Sequence, residues 1–500
     1  NVATGQANPV ANGPANTASL ASWLFQRGVT TYDTELFVAD AQISGGTGIT
    51  LPGGEIQFGV GGQYRKNWFE TSLGATGDLR VNPCRETPLN GNTNAAACAP
   101  NPGSVAPAAA NGAYGFLGTG LPVSVNQDIY ALFGEVQIPI FDTLNFQGAA
   151  RYEDYRGGIG STFNPQGRLR WQVTPWLKMR GGIGTTFRGP TAANTTNNRV
   201  TTLQLIGSTF TPTDTFGNPA LKPEKSTNYS GGVIVKFGGL QASIDYFRYR
   251  LTDSIVTDPL SSIVATLFPT GQPNTCAANP ALAARFTYTT AGCTAASTTA
   301  NIARATLLLQ NGPTVQNSGL DIIVNYRARN LFNTSLRAGA GVTATYTIEN
   351  KIGAVVVEGK QVSAPYDGVG LLNYQKTLYP LPQWKGQAYV DFGGGPADAR
   401  LTVNYSDGLH DQRFDDKSGP FAPNVNIAGA PTLTQGADIN EFVTADLNLS
   451  ITVMKRFTVT GTVFNIFDAQ PPFAREDYDY EPFVGNAYGR MFKLAVSTRF

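Results

Sequence analysis

The strongest constraint in this sequence is an alternation of apolar and polar residues with a period of two, which recurs along most of the chain. The segments 144–151, 443–450 and 492–500 show it clearly. In the second of these, Leu447 falls on one face and Asp446 on the other. Because successive side chains of a β-strand point to opposite faces, this pattern predicts strands with one apolar and one polar face.

Fifteen segments of the chain are predicted to be strands on this basis. A soluble β-sandwich would give the same alternation, so the strands alone do not decide the architecture. The predicted strands are 29–44, 54–71, 125–139, 143–156, 160–173, 177–187, 226–237, 239–254, 316–329, 331–348, 383–393, 396–406, 440–450, 454–465 and 488–500.

The connections between these strands alternate in length, and this does separate the two architectures. Outer-membrane barrels have short periplasmic turns and long extracellular loops, whereas a sandwich has no reason to sort its loops. The sequence therefore predicts an all-β fold, a large antiparallel transmembrane β-barrel. Short connections lie at 45–53, 140–142, 174–176, 238, 330, 394–395 and 451–453. Long ones lie at 72–124, 188–225, 255–315, 349–382, 407–439 and 466–487, and the tight turn at 157–159 is the one exception.

The composition excludes the main alternatives to a barrel. Charged residues make up 14% of the 500 residues, whereas soluble globular proteins contain about 25%. Apolar runs such as 305–309 and 354–357 are far shorter than the roughly 20 residues of a membrane-spanning helix. An apolar outer face and a polar lumen explain a chain that is poor in charge yet only 41% hydrophobic. The net charge of +1 gives no reason to expect a nucleic acid partner.

Four cysteines occur as two pairs, and each pair lies within one of the long connections. Neither pair has the C-x-x-C spacing of a metal site. Two disulfides, Cys84–Cys98 and Cys276–Cys293, are the natural hypothesis, and four free thiols are the alternative. Closing loops of this size would contribute about 3 kcal/mol each. Disulfides would also indicate an oxidising compartment such as the periplasm or the cell surface.

Several short motifs occur in the order typical of one protein family. Taken together, they make residues from about 120 to 500 resemble the TonB-dependent outer-membrane receptors. The motifs are T-F-R-G-P at 186–190, N-P at 218–219, L-K-P-E-K-S at 221–226, N-S-G-L-D at 317–321, L-P with a following Trp at 381–384, V-F-N-I-F-D at 463–468, P-P-F at 471–473, Y-G-R at 488–490 and the terminal Phe500. The resemblance implies structural roles near the ends of strands for Arg188, Glu224, Asn465, Phe467 and Asp468.

The resemblance also predicts how the chain is organised. The family has a 22-stranded barrel filled by an N-terminal plug, with a TonB-contacting segment before the plug. Counted back from Phe500, the fifteen strands would be the last fifteen of the 22. Residues 1–500 are therefore expected to form the C-terminal part of a receptor barrel, with the plug and the first strands absent. The terminal aromatic residue resembles the signal that the barrel assembly machinery reads.

Two loop segments contain candidate ligand-binding residues. His410, Asp411 and Asp415 lie together in one long loop and could bind a metal or a metal chelate, although the pattern is more typical of a solvated polar loop. Tyr478 and Tyr480 alternate with acidic residues in the last long loop. They could stack on a sugar or a chelate, although an interfacial aromatic girdle is the alternative. No cofactor or resident metal site is predicted.

The favoured functional hypothesis follows from the resemblance, which implies active import of a scarce nutrient energised by the TonB complex. A passive porin or a surface-binding barrel is the rival hypothesis. An enzyme is the third hypothesis, although the common hydrolase, phosphate-binding and zinc motifs are all absent from the sequence. The expected partners are outer-membrane lipid, the TonB complex through the absent N-terminal region, the barrel assembly machinery and a small-molecule ligand. Iron chelates, cobalamin and oligosaccharides all stay open as that ligand.

Overall fold

The computed structural model of the chain describes residue 19 and the ranges 28–84, 119–196, 198–374, 378–416, 436–454 and 456–498, together with residues 110 and 112. No helix in these ranges has the length and apolar character needed to cross a membrane.

Fifteen antiparallel strands form one continuous sheet in which each strand pairs with the next of the series. This confirms the predicted strand number and the all-β class. The strands are β1 (Thr30–Leu51), β2 (Gly54–Leu73), β3 (Val123–Phe141), β4 (Leu144–Tyr155), β5 (Gly160–Thr174), β6 (Leu177–Arg188), β7 (Glu224–Phe237), β8 (Leu240–Thr252), β9 (Val315–Leu331), β10 (Leu336–Ile352), β11 (Trp384–Gly394), β12 (Ala397–Ser406), β13 (Phe442–Val453), β14 (Phe457–Phe464) and β15 (Met491–Thr498). A two-residue strand, Tyr366–Asp367, also pairs with the end of β10.

The first and last strands of this series do not pair with each other. Within the described residues, β1 pairs only with β2, and β15 pairs only with β14. The sheet is therefore open, with one free edge at each end.

The register of the sheet separates apolar and polar side chains onto opposite faces. Directly opposed residues point the same way, so a row across several strands shows what each face carries. One row on the apolar face contains Val390, Leu401, Leu447, Val463 and Phe492. The neighbouring row on the other face contains Asp391, Arg400, Asn448, Thr462 and Lys493.

Many large apolar side chains on this face remain exposed. Phe492 keeps 75% of its surface accessible and Leu132 keeps 67%. An apolar surface of this size is stable only against an apolar solvent, such as the hydrocarbon core of a membrane.

Short turns join the strands at one end of the sheet and long connections join them at the other, as the sequence predicts. The turn between β1 and β2 is only residues 52–53, and the turn between β7 and β8 is only residues 238–239. At the opposite end, residues 253–314 connect β8 to β9. The short turn 156–159, between β4 and β5, is the single tight turn at that end.

Several long connections, which the sequence predicts only as loops, fold together into a packed unit that we call the loop module. Its largest apolar cluster includes Ile263, Leu267, Ile302 and Val357, all buried. A second sheet of the protein belongs to this module. It consists of Thr119–Gly120, Arg199–Ile206, Thr209–Phe216, Ile255–Thr257, Phe286–Tyr288 and Ile302–Asn311. Its helices are α1 (Leu260–Leu267) and α2 (Pro280–Ala283), with 3-10 turns at Ala192–Thr195 and Thr299–Asn301 and a hairpin of Val355–Val357 with Lys360–Ser363.

Buried ion pairs and a disulfide cross-link this module. The Arg304 guanidinium lies 2.6 Å from the Asp214 carboxylate, although the two residues belong to different connections. Cys276 and Cys293 form a disulfide with a Cα–Cα distance of 6.1 Å, which confirms that predicted pair. Cys84 is also disulfide-bonded, while its predicted partner Cys98 lies outside the described residues.

Candidate functional site

The last two long connections pack against each other and bring most of the predicted site residues into one region. The first contributes a two-stranded sheet of Leu409–His410 with Asp438–Ile439 and the helix α3 (Arg413–Asp416). The second is residues 465–490, between β14 and β15. Leu409 and Ile439 from the first connection share an apolar cluster with Ala474 and Val484 from the second.

A buried ion pair holds these two connections together. Asp411 and Arg413 keep only 0% and 1% of their side chains exposed, and the guanidinium lies 2.7 Å from the carboxylate. Arg413 also donates a hydrogen bond of 2.6 Å to the carbonyl oxygen of Arg475 and lies 3.7 Å from Glu476. The predicted ligand candidate Asp411 is therefore engaged inside the protein and does not face solvent.

The single histidine lies between two carboxylates. Its Nδ1 is 2.9 Å from Asp438, and its Nε2 is 2.9 Å from Asp415. These hydrogen bonds, to Asp438 first and then to Asp415, raise the pKa of His410 above its ordinary value. His410 thus links the helix α3 to the hairpin strand that contains Asp438.

The two predicted tyrosines, Tyr478 and Tyr480, line a small cleft beside the ion pair of Asp411 and Arg413. Tyr478 is largely exposed, and its ring centroid lies 6.3 Å from that of Tyr480. The cleft has a volume of about 180 Å³ and is also lined by Tyr374, Tyr379 and Phe483, with Glu476 and Glu481 among its polar residues. Aromatic faces beside carboxylate acceptors can stack on a ring-shaped ligand and accept its hydrogen bonds.

The cleft and the buried ion pair share a wall. The Arg413 guanidinium lies 5.3 Å from the centroid of the Tyr374 ring, which lines the cleft. A change at Arg413 would therefore alter the shape of the cleft without touching a ligand directly.

No resident metal centre is evident in the region. Across the described residues, no three His, Cys, Asp or Glu side chains are arranged to hold a metal ion. Both ring nitrogens of His410 are already hydrogen-bonded to carboxylates. A ligand-binding role for His410, Asp411, Asp415, Tyr478 or Tyr480 stays a prediction.

The polar face of the sheet contains a much larger cavity, of about 840 Å³, near the long connections. Its floor is a charged triad in which buried Glu153 lies 2.7 Å from Arg65 and 2.5 Å from Arg151. Phe187 of the T-F-R-G-P motif and Ala192, two residues after it, form part of its wall. No local sequence pattern predicts this cavity, because Arg65 and Glu153 come from strands far apart in the chain.

The family of the chain is decided by a match that covers nearly all of it. The family described as TonB dependent receptor-like, beta-barrel matches residues 3–466. The chain belongs to this family of TonB-dependent receptor barrels. The open fifteen-stranded sheet is accordingly part of the barrel wall of this family.

Solved receptor structures share the fold at low sequence identity. The siderophore receptor PirA of Acinetobacter baumannii superposes with a TM-score of 0.56 at 15% identity and covers 94% of this chain. The ferric enterobactin receptor of Pseudomonas aeruginosa gives a TM-score of 0.57 at 13% identity and covers 93%. The chain spans 55% and 54% of these two proteins, about half of their length.

One curated relative is similar over a shorter stretch. The iron-regulated outer membrane virulence protein of Vibrio cholerae is 29% identical over 117 residues. The match covers 23% of this chain and 17% of that protein.

The receptor motif around Arg188 and Glu224 forms an ion pair where β6 meets β7. The Arg188 guanidinium donates two hydrogen bonds, of 2.5 and 2.8 Å, to the buried Glu224 carboxylate. Glu224 also accepts a hydrogen bond of 2.7 Å from the backbone amide of Ile255. The pair therefore anchors the start of the long connection 253–314, and the structural role of the two residues stays a prediction.

The C-terminal receptor motif turns the chain after β14 and ties it to β15. Asn465 adopts a positive φ of 50°, and its backbone amide donates to Asp446 over 2.8 Å. Asp468 accepts a hydrogen bond of 2.7 Å from the backbone amide of Arg490, one residue before β15. Phe467 is largely exposed, and Phe500 lies outside the described residues.

Proposed function

We propose that this chain is the membrane-spanning wall of an outer-membrane receptor that imports a scarce nutrient with energy supplied through TonB. The observation that supports this best is the match of residues 3–466 to the receptor barrel family. The structure adds an exposed apolar face, a charged lumenal face and long connections that are packed and cross-linked. We also propose that the protein is a transporter and has no enzymatic activity.

The proposed organisation places residues 1–500 at the C-terminal end of a larger receptor. The solved structures cover 93–94% of this chain, but the chain covers only 54–55% of theirs. A sheet with two unpaired edges cannot be buried in lipid, because its backbone amides and carbonyls would lack partners. We propose that earlier strands close the barrel and that an N-terminal plug fills it.

The proposed location is the outer membrane, with the long connections outside the cell. The Cys276–Cys293 disulfide lies in one of these connections and suits an oxidising environment. The proposed partners are the TonB complex, acting on the N-terminal region, and the barrel assembly machinery, acting on the strand that ends at Phe500.

The ligand is proposed to belong to the siderophore, vitamin or oligosaccharide class. Two structural relatives are described as a siderophore receptor and a ferric enterobactin receptor. They make ferric chelates the first class to test. The aromatic cleft around Tyr478 and Tyr480 is the proposed first contact for such a ligand.

Uptake measurements in a deletion strain test this proposal. Growth and radiolabelled uptake are followed on a panel of ferric chelates, cobalamin and oligosaccharides, with and without an intact TonB complex. The proposal predicts loss of one nutrient in the deletion strain and the same loss when TonB is inactivated. Uptake that needs the receptor but continues without TonB would instead identify a passive porin.

A further inference from the structure

The outward face of the sheet is charged at one end only. Within the fifteen described strands, every charged residue that shares a face with the apolar rows lies in the half next to the long connections. Four of these residues form a cluster on β7, β8 and β10, which we call the rim basic patch. Its members are Lys225, Arg248, Arg250 and Lys351.

Strand β8 shows how the apolar surface leads into this patch. Ile244, Tyr246, Arg248 and Arg250 follow one another at every second position, so they share one face. Ile244 and Tyr246 are exposed on the apolar face of the sheet. The face therefore changes from aliphatic to aromatic to basic towards the long connections.

Register places the other members of the patch beside these arginines. Arg250 is opposite Gln316 of β9, and Gln316 is opposite Lys351 of β10. On the other side, Arg250 is opposite Thr227, which precedes Tyr229 on the same face of β7. Lys225 lies one further step along that face and is exposed.

A β-bulge in β10 brings Lys351 to this face. Gly319 is paired with Thr347, whereas the preceding Ser318 is paired with Glu349, so Ile348 is an extra residue. Without the extra residue, the outward positions after Tyr346 would be 348 and 350. With it, they are Glu349 and Lys351, which illustrates how a bulge redirects side chains.

Positive charge exceeds negative charge in the patch. The single carboxylate of Glu349 forms ion pairs with two cations, since it lies 2.7 Å from Lys351 and 3.6 Å from Arg248. Asp367 is hydrogen-bonded to the backbone amides of Asn350 and Val369, at 3.0 and 3.2 Å. Over the described part of the chain, Lys225 and Arg250 have no carboxylate within ion-pair distance, and both are exposed.

An aromatic girdle fixes the level of the patch relative to a membrane. Tyr346 and Trp384 lie side by side on the outward face, with ring centroids 4.7 Å apart, and Tyr229 and Tyr246 continue the girdle on β7 and β8. Tyrosine and tryptophan concentrate at the depth of the lipid head groups. Arg248 and Arg250 follow Tyr246 towards the long connections, so they lie at or just above the head groups.

The other outward-facing cations of the sheet are already neutralised. Lys66 lies 3.7 Å from Asp128, and Arg156 lies 3.3 Å from Asp154. These two provide a matched control, since they lie near the same end of the sheet but on β2 and after β4.

We propose that the rim basic patch binds the phosphate groups of an anionic lipid in the leaflet on the long-connection side. Basic clusters beside a membrane attract anionic head groups, and arginine binds phosphate oxygens through paired hydrogen bonds. The patch does not line the lumen, so this interaction is independent of what the receptor imports.

The test compares lipid binding by the full-length receptor and two double variants. The patch variant carries Lys225→Gln and Arg250→Gln, and the control variant carries Lys66→Gln and Arg156→Gln. Binding of diphosphorylated lipid A is measured by native mass spectrometry from detergent micelles. The patch variant is expected to bind about fivefold more weakly for each cation removed, with the control variant close to the unmodified protein. Heat-modifiability on gels checks that each variant is folded.

Two further arms identify the group that is recognised. With dephosphorylated lipid A, the patch variant and the unmodified protein are expected to bind the lipid equally well. Inorganic phosphate at millimolar concentration is expected to compete poorly, because it lacks the acyl chains that place the head group at the girdle. Equal losses in both double variants, an undiminished difference with dephosphorylated lipid, or full competition by inorganic phosphate would each overturn the proposal.

Discussion

Arg413 and Asp411 form a buried ion pair at the centre of the last two long connections, with a separation of 2.7 Å and almost no solvent exposure. The two residues are only two positions apart, but the pair is completed by the carbonyl oxygen of Arg475 from the other connection. The same guanidinium faces the Tyr374 ring in the wall of the aromatic cleft. The pair thus joins a packing interaction to the shape of a candidate binding surface.

Removing one partner of this pair is expected to loosen both connections. Asp411→Ala leaves the Arg413 guanidinium buried without its carboxylate, which typically costs about 3–5 kcal/mol. Limited proteolysis of the full-length receptor should show faster cleavage within residues 407–490, while the barrel keeps its heat-modifiability. Asp415→Ala is the comparison, because it removes one hydrogen bond of His410 at an exposed position and leaves no buried charge unpaired. Equal protease resistance of the two variants would contradict this role for Asp411.

The hairpin that contains His410 is expected to weaken as the pH rises. The pKa of His410 is raised in the folded protein by Asp438 and Asp415, so the folded state binds the proton more tightly than the unfolded chain. The stabilisation is complete below the ordinary histidine pKa of about 6.5 and disappears as the pH rises through the higher folded-state pKa. Hydrogen exchange of residues 409–410 and 438–439 should therefore accelerate across that interval.

The one histidine of the chain also allows its pKa to be measured directly. Its imidazole signals should titrate above the ordinary value, and Asp438→Asn should lower the midpoint. Lys360→Gln, in the hairpin of Val355–Val357 with Lys360–Ser363, should leave the midpoint unchanged. A midpoint at the ordinary value in the unmodified protein would show that the two carboxylates do not hold His410 in solution.

The Cys276–Cys293 disulfide is expected to stabilise the loop module and leave the barrel wall unaffected. Replacing both cysteines by serine opens a loop closed between positions 17 residues apart, which should cost about 3 kcal/mol. Hydrogen exchange should increase in α1 (Leu260–Leu267), which packs in the same apolar cluster as Cys276. Exchange in β13 and β14 should stay constant. A comparable increase in those strands would mean that the module and the wall unfold together.

The turn after β14 is expected to depend on the asparagine at position 465. Asparagine tolerates the positive φ of this position better than alanine does, so Asn465→Ala costs about 1–2 kcal/mol in backbone conformation. It also removes the hydrogen bonds of the amide side chain with Ala469. Asn465→Gly should remove the cost in backbone conformation but should not restore the side-chain hydrogen bonds with Ala469. Refolding yields into detergent should rank in the order asparagine, glycine, alanine. Equal yields for glycine and alanine would show that backbone conformation contributes little.

The barrel wall could be predicted well because its signal is local. The alternation in 443–450 depends only on neighbouring residues, and it marks β13, which runs from Phe442 to Val453. Errors were confined to the ends of strands. Strand β1, for example, continues to Leu51 through an irregularity after Gly46, where the sequence predicted a connection from residue 45.

The loop module could not be predicted because its stability comes from distant contacts. Helix α1 and the strand Ile302–Asn311 are short apolar segments that alone would not fold. They are stable because Ile263, Ile302 and Val357 meet in one core from separate parts of the chain. The same holds for the site, where Asp411 looked like a free carboxylate but is buried against Arg413.

By itself, the sequence determined the strand pattern, the sorting of turns and long connections, the Cys276–Cys293 pair and the likeness to receptor barrels. Each of these depends on residues close in sequence or on short motifs in a fixed order. Only the tertiary structure decided which charges face one another, where the cavities lie and that Arg248, Arg250 and Lys351 meet on the outward rim. Those features depend on strand register, on a single bulge and on contacts between residues far apart in the chain, which no local pattern records.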